Sequence, residues 1–158
     1  RWPFRTIGYE LAKTLSENGT VSRGVCEVDE NNNLISIQER TKIYREENKI
    51  IFEELDGKHE VSENSKVGMN FWGFDPSVFS FIENLFQQFL KEKINEPKSE
   101  FFIPIIGDAF IKAGSGIIKV IPTSAQWFGV TYKEDAQTVK KDIQDLVNAG
   151  EYPQSLWE

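Results

Sequence analysis

Val67-Gly68-Met69-Asn70-Phe71-Trp72-Gly73-Phe74-Asp75-Pro76 is an apolar run that stops at an acid and a proline. Its first eight residues carry no charge, which predicts a strand buried on both faces. Asp75-Pro76 then predicts a helix start: a carboxylate accepts at the N-cap, and proline presets φ at the first helical position. Val78, Ile82, Leu85, Phe86 and Phe89 follow at helical spacing. A strand that runs straight into a helix sets the class of the fold, and the flanking segments extend it.

On the C-terminal side, Asn95-Glu96-Pro97 ends the helical region. A second helix is predicted from near Ile103-Pro104, with Ile106, Phe110 and Ile111 among its apolar residues. Gly114-Ser115-Gly116 stops it. Ile117 to Ile121 reads as a strand, and Gln126 to Val130 as another. A last helix is predicted from about Glu134 to Asn148, with Ala136, Val139, Ile143, Leu146 and Val147 on one face and Gly150 as its C-cap. Tyr152, Leu156 and Trp157 form an apolar tail that is expected to dock. On the N-terminal side, Lys49–Leu55 and Lys58–Val61 flank Asp56-Gly57, a pair suited to the positive φ angles of a tight hairpin. Val21–Val28 and Leu34–Arg40 flank the acidic, amide-rich loop Asp29–Asn33 and predict a longer hairpin. Phe4–Leu11 reads as a further strand, and Ser16-Glu17-Asn18-Gly19 as a turn. The order predicts an α/β chain: a mixed sheet with β-hairpin insertions and flanking helices. The 158 residues are expected to form one domain, 1–158.

The net charge of −7 argues against nucleic acid or an anionic membrane as the main partner, since both favour basic surfaces. A small phosphorylated ligand needs only a few local cations. Cys26 is the one cysteine, which fits a reducing, cytoplasmic setting. Asn18-Gly19-Thr20 matches a glycosylation sequon without any secretory context and is read as chance. Arg1-Trp2-Pro3 carries neither a methionine nor a signal-peptide pattern, and reads as the continuation of a longer chain.

Three positions stand out chemically. Ile35, Ile37 and Glu39 are two apart and share a face of a strand, which carries Glu39 toward the interior or a cleft. A carboxylate there needs donors such as sugar hydroxyls or a cation. The alternative is a twisting strand with Glu39 exposed or paired to Arg40 or Lys42. Asn70 is an amide inside an apolar run, a ligand contact or a bond to neighbouring backbone. Gly24 interrupts Val21–Val28, as a bulge or as a point of close ligand approach. His59, beside the Asp-Gly turn, reads as a solvent-facing strand histidine.

These positions fall in segments that resemble one family. The segments are Thr14-Leu15-Ser16-Glu17-Asn18-Gly19-Thr20-Val21-Ser22-Arg23-Gly24-Val25-Cys26, Ile37-Gln38-Glu39-Arg40-Thr41-Lys42 and Met69-Asn70-Phe71-Trp72-Gly73-Phe74. Ser99-Glu100-Phe101-Phe102-Ile103-Pro104 and Trp127-Phe128-Gly129-Val130-Thr131-Tyr132-Lys133-Glu134-Asp135 follow. In this order they resemble the C-terminal half of bacterial sugar-phosphate nucleotidyltransferases of the nucleoside-diphosphate-sugar pyrophosphorylase type, from about Phe4 to Trp157. The resemblance implies a partial, Rossmann-like nucleotide-diphospho-sugar transferase fold. It implies an intact parent in which a sugar 1-phosphate attacks a nucleoside triphosphate, with Mg²⁺ present, giving a nucleotide sugar and pyrophosphate.

By the same resemblance Gly24 approaches the sugar through its backbone, and Glu39 accepts from sugar hydroxyls. Arg40 or Lys42 supplies the phosphate cation, and Asn70 lines the sugar pocket. Thr131 falls near the family's metal ligand, where threonine is a poorer Mg²⁺ ligand than asparagine or aspartate. The family's glycine-rich, triphosphate-binding N-terminal half has no counterpart among these residues, so this chain alone is expected to be inactive. Exposed strand edges would then favour a homodimer. The alternatives are a non-catalytic sugar-phosphate sensor, or an oligomerisation module joined through Phe101, Phe102 and Trp157.

Overall fold

The computed structural model describes residues 3–157. Seven strands form one sheet: β1 (Phe4–Glu10), β2 (Val21–Val28), β3 (Leu34–Glu46), β4 (Lys49–Glu54), β5 (Gly57–Val61), β6 (Lys66–Gly73) and β7 (Ile118–Thr123). Their spatial order is β5-β4-β3-β2-β6-β1-β7. Neighbours are antiparallel except β1 and β7, which are parallel. Three α-helices accompany the sheet: α1 (Val78–Lys93), α2 (Ile103–Lys112) and α3 (Asp135–Asn148). A 3-10 turn at Leu11–Thr14 follows β1. The mixed α/β class therefore holds.

Two apolar clusters hold the sheet. In the first, Phe4, Cys26, Leu34, Ile37, Ile118 and Val120 of the strands meet Val78 of α1 and Ile106 and Phe110 of α2. Phe4 stacks on Phe110 with ring centroids 4.4 Å apart. In the second, Leu11, Val21, Ile43, Ile50, Phe52 and Val67 pack together. Each such buried side chain contributes roughly 1.5–3 kcal/mol of apolar transfer. Both predicted glycine stops end helices as read. At α2 the Gly114 N–H bonds to the Ile111 carbonyl and the Ser115 N–H to the Phe110 carbonyl. At α3 the Gly150 and Glu151 N–H groups bond to the Val147 and Leu146 carbonyls in the same pattern. Gly114 and Gly150 have φ of +63° and +78°, which costs glycine least.

Several expectations need correction. The first hairpin is longer than predicted: β3 runs to Glu46 and turns through Glu47-Asn48 into β4, with Glu47 at φ +53°. The β4–β5 turn is centred on Leu55-Asp56, with Gly57 following at φ +132°, so Asp56-Gly57 are not its two central residues. Ile35 is 48% exposed, because a register shift between Glu27 and Val28 lets Leu34 take the core position instead. Gln126–Val130 is not a strand; the Trp127 N–H goes to the Lys13 carbonyl rather than to a ladder. β6 is not buried on both faces, since Asn70 and Phe71 are exposed. Asp75 sits just before the helix, its Oδ1 accepting from the Ser77 N–H at 2.8 Å, and Ser77 occupies the N-cap. Tyr152, Leu156 and Trp157 remain exposed, at 47%, 74% and 90%, so the tail does not dock here.

The sheet curls. Opposite its pairing with β1, β7 meets the β2–β3 loop: the Val120 N–H donates to the Asn32 carbonyl at 2.8 Å, and Asn33 bridges Lys119. That edge is covered by a loop. No helix among the described residues is long and apolar enough to cross a membrane.

Cys26 is buried, and burial pushes its thiol up to about 12. The thiolate is the reactive species. Ellman's reagent at pH 8 is expected to leave Cys26 unmodified in the folded protein and to label it fully in denaturant; fast labelling of the native chain would contradict this burial.

Candidate functional site

The chemistry-bearing residues are set by the middle of the sheet. Gly8 pairs with Gly68, Gly68 with Gly24, and Gly24 with Glu39, so a lane crosses four strands with a side chain only at its end. A Cβ on Gly24 would lie 3.0 Å from Ile37 Cδ1 and 3.3 Å from Pro104 Cγ. Close packing of Ile37 and α2 is thus one sufficient reason for that glycine.

β6 departs from regular pairing beside the lane. Thr6 pairs with Trp72 and Gly8 with Gly68, so three β6 residues stand opposite one of β1. Asn70, in the middle of this bulge, has φ +55°, a conformation that asparagine tolerates better than most residues. The bulge turns Asn70 outward. A cavity of about 240 Å³ results, lined by Ser22, Arg23, Gly24, Glu39, Gly68, Met69, Asn70 and Trp127. Three positions singled out in the sequence, Gly24, Glu39 and Asn70, therefore border one cavity.

Arg40 and Lys42 lie elsewhere. Arg40 directly opposes Arg23 in the ladder but reaches outward, where it pairs with Glu54 and Gln38 and sits over Phe52 at 4.7 Å. Lys42 occupies a β3 bulge at φ +51°, is 64% exposed in its side chain, and faces Glu53 at 3.6 Å. It borders a separate open depression with Glu53, Glu54 and Asp56.

Sequence reading missed Arg23 and Trp127 as cavity walls. A signal for the first existed: Val21, Arg23 and Val25 are two apart, and both valines pack in the second cluster. A charge on an apolar strand face needs a reason. Arg23 is 7% exposed. Its Nε donates to Thr14 Oγ1 at 3.1 Å, Nη1 to the Ser22 carbonyl at 2.7 Å, and Nη2 to the Thr14 carbonyl. The guanidinium lies 4.9 Å from the Trp127 ring centroid. Burial lowers its pKa to about 10, so it stays charged at neutral pH.

Burial raises the Glu39 carboxyl above its ordinary value; Arg23 pulls it back, and Glu100 adds to the rise. The folded carboxyl thus keeps its proton to higher pH than the unfolded one. Ionising Glu39 in the fold costs stability, which declines as pH rises from the ordinary value, about 4.3, through the folded one. Glu39→Gln is expected to melt at or above wild type at neutral pH and level with it in acid. A variant that melts lower at neutral pH would contradict the burial of this charge.

Thr131 is exposed and lies beside Asp135. Asp135 Oδ2 accepts the Thr131 and Tyr132 N–H groups at 3.0 and 2.8 Å, and Oδ1 accepts Ser16 Oγ and Asn18 Nδ2 at 3.0 and 2.6 Å. Four donors use the roughly four lone-pair sites of a carboxylate. With those sites taken, Asp135 offers no free oxygen to a Mg²⁺ ion beside Thr131. Asp135 instead ties α3 to the Ser16–Asn18 turn, and the Asn18 amide of the sequon is engaged in that contact.

The Tyr132 N–H, then Asn18, hold the Asp135 carboxyl below its ordinary range. Its stabilising effect is full above the ordinary pKa, about 3.9, and is lost as pH falls through the folded value. Asp135→Asn is expected to flatten the acid limb of the stability profile below about pH 4. An unchanged acid limb would remove Asp135 from this role.

Glu54, Asp56 and His59 bring their ligand atoms within 4.8 Å of one another at the β4–β5 turn. His59 Nε2 lies 2.8 Å from Asp56 Oδ1, its ring stacks on Phe52, and Arg40 already pairs with Glu54. This group is separate from the Glu39 cavity.

No protein-family model matches the chain, and no curated protein matches it.

Proposed function

We propose that the chain is the sugar 1-phosphate-binding part of a nucleotidyltransferase, whose intact form joins a sugar 1-phosphate to a nucleoside triphosphate and releases pyrophosphate. The observation that carries this reading is the meeting of Gly24, Glu39 and Asn70 around one cavity. These residues come from three different strands, β2, β3 and β6. A carboxylate and a carboxamide offer acceptors and donors for ring hydroxyls. The cavity is smaller than the roughly 300–1,000 Å³ of drug-sized clefts, so it suits one sugar ring better than a whole nucleotide. The nucleotide and Mg²⁺ belong to the intact parent in this reading. Within this chain Glu39 and Asn70 orient the sugar, and the isolated chain turns nothing over. A homodimer through exposed strand edges has the outer edge of β5 to use, because the β2–β3 loop meets that of β7.

The test is a thermal-shift titration with a panel of hexose 1-phosphates. Ligand that binds only the folded state raises its stability by mass action. The expected result is a saturable rise with one or more of them, lost in Glu39→Ala and Asn70→Ala. A rise that survives both substitutions, or no rise with any hexose 1-phosphate, would overturn the reading.

A further inference from the structure

A sugar 1-phosphate brings a charge that Arg40 and Lys42 do not meet in this structure, since both face away toward Glu54 and Glu53. Among the described residues, Arg23 is the one cationic side chain that lines the Glu39 cavity. Resting on the reading of that cavity as a sugar-phosphate site, we infer that Arg23 is its anion anchor and receives the phosphate.

Three observations carry the inference. A guanidinium has five N–H donors in a rigid fork. Thr14 and Ser22 take three of them, which leaves two for a ligand. Next, Arg23 is 7% exposed, yet among the described residues no carboxylate forms an ion pair with it. Glu39 acts on it through space, and the three groups it touches are neutral oxygens. A buried cation held by neutral acceptors carries an unmet preference for an anion. Finally, the side chain is fixed in advance. Thr14 is wholly buried, and the Trp127 indole lies against the guanidinium. Trp127 is held in turn by its N–H bond to the Lys13 carbonyl and by Gly129, where a Cβ would collide with the indole. An arginine whose rotamer is already set loses little freedom on binding.

Glu39 and Arg23 then divide the ligand between them. The carboxylate repels phosphate and accepts from neutral hydroxyls, while the guanidinium takes the charged end in charge-assisted hydrogen bonds. Such a site prefers a phosphorylated hexose to the neutral sugar.

The test compares a hexose 1-phosphate with the methyl glycoside of the same hexose, by isothermal titration at low and moderate salt. In the wild type the phosphate ester is expected to bind at least 10-fold more tightly than the glycoside, with affinity that falls as salt rises. In Arg23→Gln that preference is expected to shrink to about twofold or less while the glycoside binds as before. A preference kept in Arg23→Gln would overturn the inference. Because Arg23→Gln removes buried hydrogen bonds, the Arg40→Gln/Lys42→Gln double variant gives an independent decision: it should keep the preference, and its loss there would assign the phosphate to those residues instead. Failure of both ligands to bind the wild type would sink the site reading itself, and the inference with it.

Discussion

Arg23→Ala is expected to lower the unfolding free energy by about 2–4 kcal/mol, because it leaves two buried Thr14 acceptors without donors at roughly 1–3 kcal/mol each. Thr14 Oγ1 and the Thr14 carbonyl both accept from the guanidinium, and Thr14 is fully buried. Trp127 loses its cation–π partner in the same step, roughly 0.5–1 kcal/mol where solvent reaches. Against these losses stands the relief of a desolvated charge, which keeps the expected cost below the plain sum. Arg23→Lys restores the charge but not the fork, and should recover only part of the loss. Urea unfolding of the three proteins measures it. A cost under 0.5 kcal/mol for Arg23→Ala, on the scale of an ordinary surface change, would mean that the guanidinium does not organise the Thr14 turn.

Ile43→Ala is expected to cost about 2–5 kcal/mol, the range for deleting a buried aliphatic side chain that leaves a cavity. Ile43 is 0% exposed and pairs with Val21 just past the β3 bulge. Its cluster joins β2, β3, β4 and β6 to the 3-10 turn through Val21, Ile50, Phe52, Val67 and Leu11. These strands are pinned by neighbours on both sides, so little collapse into the void is expected. The denaturation midpoint should fall while the slope with urea stays that of wild type. A loss below 1 kcal/mol would show that the second cluster is loosely packed.

How much of this was legible in the sequence depends on the range of the interaction. Helix ends and hairpin positions were readable because a glycine stop or a turn cluster acts within a few residues; α2, α3 and the β4–β5 hairpin came out close to their predicted spans. Register was not. The shift at Glu27/Val28 that exposes Ile35, and the bulge that turns Asn70 out of β6, are set by pairing with strands distant in sequence. Period-two reasoning assumes unbroken alternation, and a bulge inverts it. Glu39 still reached the cavity because Ile37 and Glu39 lie on the same side of that shift. For Asn70 the residue type itself held a clue, since asparagine accepts left-handed φ. Trp127 could not be placed as a cavity wall, because its backbone bond to Lys13 crosses 114 positions of sequence numbering without any strand pattern. Arg40 is next to Glu39 in sequence, and alternation turns it to the other face, toward Glu54 and Phe52; Arg23, which opposes Arg40 in the ladder, nevertheless lines the Glu39 cavity, a placement that alternation alone does not give.

The most direct measurement is backbone and indole chemical-shift mapping by ¹⁵N NMR as a hexose 1-phosphate is added. A sugar site built on the glycine lane predicts that the shifts concentrate at Gly24, Gly68, Met69, Asn70 and the Trp127 indole, and that Glu39→Gln removes them. Shifts gathered instead at Ser16–Asn18 and Thr131, or around Glu54–His59, would place the ligand in another part of the fold and contradict the account.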